Sequence, residues 1–129
     1  MSQPGSGQNN TTWDFTDSFM PSQLLLTLNE QRQSGLFCDV IICIDGREFR
    51  CHRNVLSAFS PYFRAMFSSA MQEAKMDRID IHEVDLPMFE LLIDFAYSGR
   101  VTINEDNVKS LLATANFFEV LSVRDACCK

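Results

Sequence analysis

Polar and apolar positions divide the chain into a polar leader and a run of short helices and strands. Residues 1–12 are rich in Gly, Ser, Gln and Asn, a composition typical of segments that bury no core. From about residue 18 to Ser34, apolar residues recur at helical spacing, and Gly35 predicts the end of this helix. The pattern therefore predicts a disordered leader over residues 1–17, which includes Trp13 and Phe15, and a folded domain over residues 18–129.

The first predicted helix carries apolar side chains on two faces. At about 100° per residue, Phe19 and Leu26 fall roughly opposite a stripe of apolar residues, which are Met20, Leu24, Leu25 and Leu28. A helix that covers one small core needs a single apolar stripe. We interpret the second stripe as part of a homodimer interface, and burial inside a larger monomer is the alternative.

A β-hairpin is predicted directly after this helix. The apolar run Val40–Ile44 is followed by Asp45-Gly46 and by a second extended run, Arg47–Cys51. Asp-Gly between two such runs favours a type I′ turn, which needs a positive φ at both central residues. The sequence therefore predicts two antiparallel strands.

Two short helices are predicted after the hairpin, over residues 54–59 and 61–67. Ser60 is the expected N-cap of the second helix, and Pro61 occupies its first position, where a missing N–H is harmless. Apolar residues of this region share a face and are expected to supply much of the core; they are Phe59, Phe63, Met66 and Phe67.

The second half of the chain alternates between loops, strands and helices. In order, it predicts a polar loop at 68–77, a strand at 78–81, a helix at 87–98, an extended piece at 101–103, a helix capped by Asn104 and a last helix from Leu121. The core stripe of the helix after Asn104 is Val108, Leu111, Leu112, Ala115 and Phe118. Phe117 lies opposite that stripe, so with Met71 and Glu73 of the polar loop it is a candidate for a partner-binding patch.

Composition and charge argue against several function classes. A net charge of −6 disfavours nucleic-acid binding, which needs clustered Lys and Arg. Charges interrupt every apolar stretch before the roughly 18 residues that a membrane span needs, so no membrane partner is expected. Five cysteines, an odd number, do not suit a disulfide scaffold and favour a reducing compartment, the cytoplasm, with the nucleus as an alternative.

No pattern indicates a metal site, a cofactor or a catalytic residue. The spacing of Cys38, Cys43, Cys51 and His52 differs from the paired spacing of structural zinc sites. Cys51 and His52 are expected to point apart, and no orienting partner is evident for either histidine. A reactive thiol at Cys51 is an alternative, because cationic neighbours lower the pKa of a thiol.

Asp39 and Arg53 are predicted to form a charge pair. Asp39 interrupts the apolar entry to the first strand, and Arg53 opens the helix after the hairpin. Because charges are rarely buried unless paired, we interpret the two as a paired charge near the dimer interface. Two unrelated exposed charges are the alternative.

Several of these residues occur as ordered motifs of a known family. The motifs are Phe-Cys-Asp-Val at 37–40, Asp-Gly-Arg-Glu-Phe at 45–49, Cys-His-Arg-Asn-Val-Leu at 51–56, Ser-Pro-Tyr-Phe-Arg-Ala-Met-Phe at 60–67, Phe-Ala-Tyr-Ser-Gly-Arg-Val at 95–101 and Asp-Ala-Cys-Cys at 125–128. Through them the chain resembles the BTB (POZ) domain of kelch-like proteins over about residues 18–129. The resemblance implies an α/β (α+β) fold, with a small mixed sheet capped by helical hairpins and a homodimer formed through the first helix.

The resemblance also implies binding to cullin-3 as part of a ubiquitin ligase adaptor. The family's loop motif, a hydrophobic residue, any residue and Glu, matches Met71, Gln72 and Glu73. The other cullin-binding positions implied by the match are Tyr62, Phe67, Ser68, Ala70, Asn116 and Phe117. The same match implies that Asp39 and Arg53 form the family's charged pocket. Phe59 departs from the family, which usually carries Cys or Ser there. The helical region and the kelch propeller that would bind substrate proteins are absent from this chain.

A non-catalytic homodimeric scaffold that binds cullin-3 is therefore the leading hypothesis. Met71 would be an apolar anchor and Glu73 a directional contact, and a dimer would raise avidity by presenting two substrate receptors. The alternative is a BTB domain of a transcriptional regulator that recruits corepressors through its dimer groove. A redox or metal enzyme is a third hypothesis.

Overall fold

A small sheet surrounded by helices forms the domain. The computed structural model describes residues 11–68 and 76–129, and α2 packs against α3 and α5 against α6 as helical hairpins. The expected α/β architecture is confirmed. Within the described ranges the elements are α1 (Met20–Ser34), β1 (Val40–Ile44), β2 (Arg47–Cys51), α2 (Arg53–Phe59), α3 (Pro61–Ser68), β3 (Arg78–Asp80), α4 (Leu86–Ala96), α5 (Val108–Phe117) and α6 (Leu121–Cys127).

The sheet is mixed, and β1 is its central strand. β1 pairs with β2 in antiparallel register, with Val40 opposite Cys51, and with β3 in parallel register on its other side. Asp45 and Gly46 have φ angles of 50° and 83°, so both central residues of the turn are left-handed, as a type I′ turn requires. The predicted hairpin is confirmed in both its strands and its turn.

Side chains from the sheet and the helices meet in one apolar core. Ser60 caps α3 as predicted, because its Oγ accepts the N–H of Phe63 at 3.3 Å and donates to the carbonyl oxygen of Phe118 at 2.6 Å. Phe63 is wholly buried, whereas Phe59, Met66 and Phe67 pack at the edge of the core. Other wholly buried side chains include Ile42, Ile44, Leu56, Leu92, Leu111 and Phe118.

Two helices begin later than the sequence predicts. The Asp17 carboxylate accepts the N–H of Phe19 at 3.0 Å, which closes a turn before α1 begins at Met20. The Asn104 side chain accepts the N–H of Asn107 at 2.9 Å, which closes a separate turn before α5. Short polar side chains make such turns readily, so a capping signal does not by itself locate the first helical residue. The extended piece expected at 101–103 pairs with no strand of the described chain.

Candidate interaction surfaces

α1 lies on the outside of the domain with most of its apolar side chains in solvent. None of its residues is fully buried, and Met20 and Leu24 are 55% and 53% exposed. Leu28 instead packs against the core, and Leu25 lines a cleft of about 430 Å³ between α1 and the end of α4. Met20 and Leu24 are therefore available for an interface, while Leu28 also has a role within the protomer.

Arg32 fastens α1 to α4. Its guanidinium lies 3.3 Å from the Asp94 carboxylate and 4.8 Å from the centre of the Tyr97 ring. The Asn29 side chain accepts a further hydrogen bond from the same group at 2.6 Å. These contacts fix the inner side of α1 against α4. The apolar side chains on the outer side of α1 therefore lie on a helix whose position is fixed.

A second surface lies where α3 and α5 meet. The rings of Tyr62 and Phe117 are 5.2 Å apart, and Phe117 is 49% exposed. Beneath them Phe118 is wholly buried, with its ring 5.1 Å from that of Tyr62 and 5.4 Å from that of Phe63. Consecutive residues of a helix point in different directions, so Phe118 fills the core while Phe117 keeps an apolar ring in solvent. We call Tyr62 and Phe117 the aromatic face.

Some of the remaining predicted cullin-binding positions lie in the part of the chain that the structure describes, and others do not. Phe67 is half-buried at the end of α3, and Ser68 and Asn116 are exposed. Of the described positions, the structure thus brings Tyr62 of α3 and Phe117 of α5 together. The predicted loop positions lie outside the described residues; they are Ala70, Met71, Gln72 and Glu73.

Asp39 and Arg53 meet through backbone groups. The Asp39 carboxylate accepts the backbone N–H of Arg53 at 2.8 Å, which satisfies a donor at the start of α2. The Arg53 Nε–H donates to the Asp39 carbonyl oxygen at 3.2 Å. The Arg53 guanidinium also donates to the Met76 carbonyl oxygen and lies 3.9 Å from the Asp77 carboxylate. Arg53 therefore connects the entry to β1, the start of α2 and the entry to β3.

His52 has an orienting partner, so the expectation of none was wrong. His52 is buried, with its Nδ1 2.7 Å from the Tyr97 hydroxyl and its Nε2 3.1 Å from the Leu36 carbonyl oxygen. Because a carbonyl oxygen only accepts, Nε2 donates to Leu36, and in the neutral ring Nδ1 then accepts the Tyr97 O–H. Burial raises the pKa of the Tyr97 hydroxyl well above its usual range, so it stays a donor.

This histidine network holds the connection between α1 and β1. It fixes Leu36 directly before Phe37, whose φ is 62°, a left-handed conformation that a bulky residue rarely adopts. The His52 backbone N–H also donates to the Tyr97 hydroxyl, at 3.0 Å. His52 and Tyr97 are 45 positions apart, and no sequence signal links them. The contacts give His52 a structural role.

Burial raises the pKa of several cysteine thiols. All five are free thiols, and burial raises the pKa of the wholly buried Cys51 thiol to about 12. Burial also raises the pKa of the Cys38 and Cys43 thiols. A reactive cysteine needs a lowered pKa, so the structure does not support the alternative of a reactive Cys51. Within residues 11–68 and 76–129, no cluster of three or more His, Cys, Asp or Glu is placed to hold a metal ion.

We expect the Cys51 thiol to resist alkylation in the folded domain at pH 8. The folded state keeps this thiol protonated from its ordinary pKa of 9 up to about 12, so its contribution to stability is lost as the pH rises through that window. Exposed Cys128 should be labelled at once. Mass spectrometry of peptides from a labelling time course measures both rates. Equal alkylation rates for Cys51 and Cys128 would contradict the assignment of Cys51 as a buried, protonated thiol.

No helix in the described part of the chain has the length and apolar character needed to cross a membrane.

Comparison with known proteins relates the chain to one family. A family model described as BTB/POZ domain matches residues 28–129. Kelch-like protein 21 of Danio rerio is 48% identical over 114 residues, which are 88% of this chain and 19% of that protein. Kelch-like protein 24 of Homo sapiens is 39% identical over 127 residues, 98% of this chain and 21% of that protein. The chain thus spans about one fifth of the length of these curated relatives.

Solved structures share its fold. The BTB domain of zebrafish PATZ1 matches with a TM-score of 0.80 at 28% identity, covering 90% of this chain and 94% of that one. The BTB (Tramtrack and Bric a brac) domain of human gigaxonin matches with a TM-score of 0.79 at 24% identity, covering 92% and 96%, a likeness of fold alone. With the ordered motifs, the mixed sheet and the helical hairpins in place, the chain belongs to the BTB/POZ family and is closely related to the kelch-like proteins.

Proposed function

We propose that this domain is the homodimeric, non-catalytic module through which a kelch-like adaptor binds cullin-3 in a ubiquitin ligase. The observation that carries the proposal is the aromatic face. Tyr62 and Phe117 come from separate helices, their rings lie 5.2 Å apart, and both occupy positions that the family resemblance assigns to cullin binding. Exposed aromatic side chains on a rigid support are frequent anchors of protein interfaces.

Phe117 would be the principal anchor on this surface. Its ring is backed by Phe118, at a centroid distance of 4.9 Å, and by Tyr62, so little conformational freedom is lost on binding. Met71 would add a second apolar contact and Glu73 a directional one, with few residues carrying most of the binding energy. Further positions around the face would be Phe67, Ser68, Ala70 and Asn116.

The homodimer would form through the outer side of α1. Met20 and Leu24 are each more than half exposed, and covering them removes apolar surface from water at about 25 cal/mol per Å². The dimer surface and the aromatic face use different helices, so both can be occupied at once. Two linked receptors then raise avidity through their effective concentration.

In the proposed function, substrate proteins would be bound by regions of the full-length protein outside this chain. We expect the protein in the cytoplasm or nucleus, because five free thiols suit a reducing compartment.

Isothermal titration calorimetry with the N-terminal part of cullin-3 tests the proposal. We expect saturable binding with one cullin fragment per copy of the chain, because each protomer carries its own aromatic face. A heat trace that never departs from dilution, with both proteins shown to be folded, would remove cullin-3 as the partner and leave the corepressor hypothesis as the one to test.

A further inference from the structure

Arg53 joins parts of the domain that are far apart along the chain. The centre of its guanidinium lies 5.0 Å from the centre of the Phe67 ring, in the last turn of α3. The same guanidinium donates to the carbonyl oxygen of Met76, just before β3. Its Nε–H donates to the carbonyl oxygen of Asp39, just before β1. One side chain therefore contacts the end of α3 and the entries to both parallel strands.

These contacts depend on the shape of the guanidinium as well as its charge. The guanidinium lies over an aromatic ring while its N–H groups reach acceptors in several directions. The Arg53 side chain is 21% exposed, so its hydrogen bonds are partly shielded from water. Asp77, at 3.9 Å, is almost fully exposed, so this ion pair contributes little. A lysine keeps the charge but has no planar group.

We propose that Arg53 is a positioning residue, a clasp that holds the end of α3 against the entry to β3 and so keeps the Phe67 ring, at a position that the family resemblance assigns to cullin binding, in its binding geometry. The Phe67 ring lies 5.8 Å from the buried Phe63 ring and 5.0 Å from the Arg53 guanidinium, so Arg53 fixes this ring. The clasp also sets the separation between Phe67 and Met76. This inference rests on the proposed function, because the geometry it maintains is that of the cullin-binding surface.

The test compares Arg53→Lys with Arg50→Lys in the intact chain. Arg50 is exposed on β2 and is not part of the clasp. Arg50→Lys is therefore the control, because it makes the same chemical change at another position. We expect Arg53→Lys to weaken binding of the cullin-3 N-terminal part about tenfold, because the Phe67 ring loses a contact that fixes its position before binding. Arg50→Lys should bind like the wild type. Light scattering and thermal unfolding confirm that both variants keep their assembly state and fold.

Amide hydrogen exchange on the free domain separates a clasp from general destabilisation. In Arg53→Lys we expect faster exchange in the last turn of α3 and in β3, with exchange in the β1–β2 hairpin unchanged. Faster exchange throughout the domain, or unchanged exchange at those two places, would overturn the clasp even if cullin affinity falls. If the wild-type chain does not bind cullin-3, the proposed function fails, and the exchange result still decides whether Arg53 is a clasp.

Discussion

Replacing Met20 and Leu24 together with aspartate is expected to convert the proposed dimer into a monomer. Both side chains are more than half exposed on α1, so the substitutions leave the protomer core intact. In the proposed dimer each new carboxylate would be buried without a partner, which costs far more than a lost apolar contact. We expect the dissociation constant to rise at least about a hundredfold, equivalent to roughly 2.7 kcal/mol.

Multi-angle light scattering measures the outcome directly. The wild-type mass should be twice the 14.7 kDa of one chain, and the double variant should have the mass of one chain. Leu121→Asp is the matched control, because Leu121 is 50% exposed on α6, outside the proposed interface. Leu28 is left unchanged because it packs against the core. A double variant that keeps the wild-type mass would show that α1 is not the interface.

Phe117→Ala is expected to weaken cullin-3 binding about 30-fold, a loss of roughly 2 kcal/mol that is typical of a central aromatic anchor. The ring is 49% exposed in the free domain, so its removal deletes a surface contact and leaves the core contact of Phe118 in place. Thermal stability should therefore change little while affinity falls. Calorimetric titration of the variant with the cullin-3 N-terminal part gives the affinity.

Phe37→Ala is the matched control for this loss. Phe37 is 73% exposed and lies in the connection between α1 and β1, so it belongs to neither helix of the aromatic face. We expect its replacement to leave cullin affinity unchanged. Equal losses for the two variants would indicate a nonspecific effect of removing an exposed aromatic ring, and no loss for Phe117→Ala would exclude it as the anchor.

Features set by neighbouring residues could be predicted from the sequence. The Asp45-Gly46 turn has few conformational options, and Ser60 followed by Pro61 favours a helix start. The inward stripe of α5 also follows from helical periodicity, which separated the buried Phe118 from the exposed Phe117. Local rules therefore predicted most of the elements and one member of the aromatic face.

Features set by distant contacts could not be predicted in the same way. The bond between His52 and Tyr97 joins residues 45 positions apart, and periodicity does not report such pairs. For Arg53, charge suggested Asp39 as its partner, but its contact with the Phe67 ring depends on how α2, α3 and the sheet pack. Likewise, Leu28 shares a helical stripe with Met20 and Leu24, yet only the tertiary structure shows that it packs against the core.

The mass of the complex tests the central claim most directly, because it reports on both surfaces at once. The chain is mixed with the N-terminal part of cullin-3 and measured by size-exclusion chromatography with light scattering. A dimer through α1 with a separate aromatic face on each protomer predicts one particle that contains two copies of the chain and two cullin fragments. Uncomplexed proteins, or a particle with one copy of each, would contradict it.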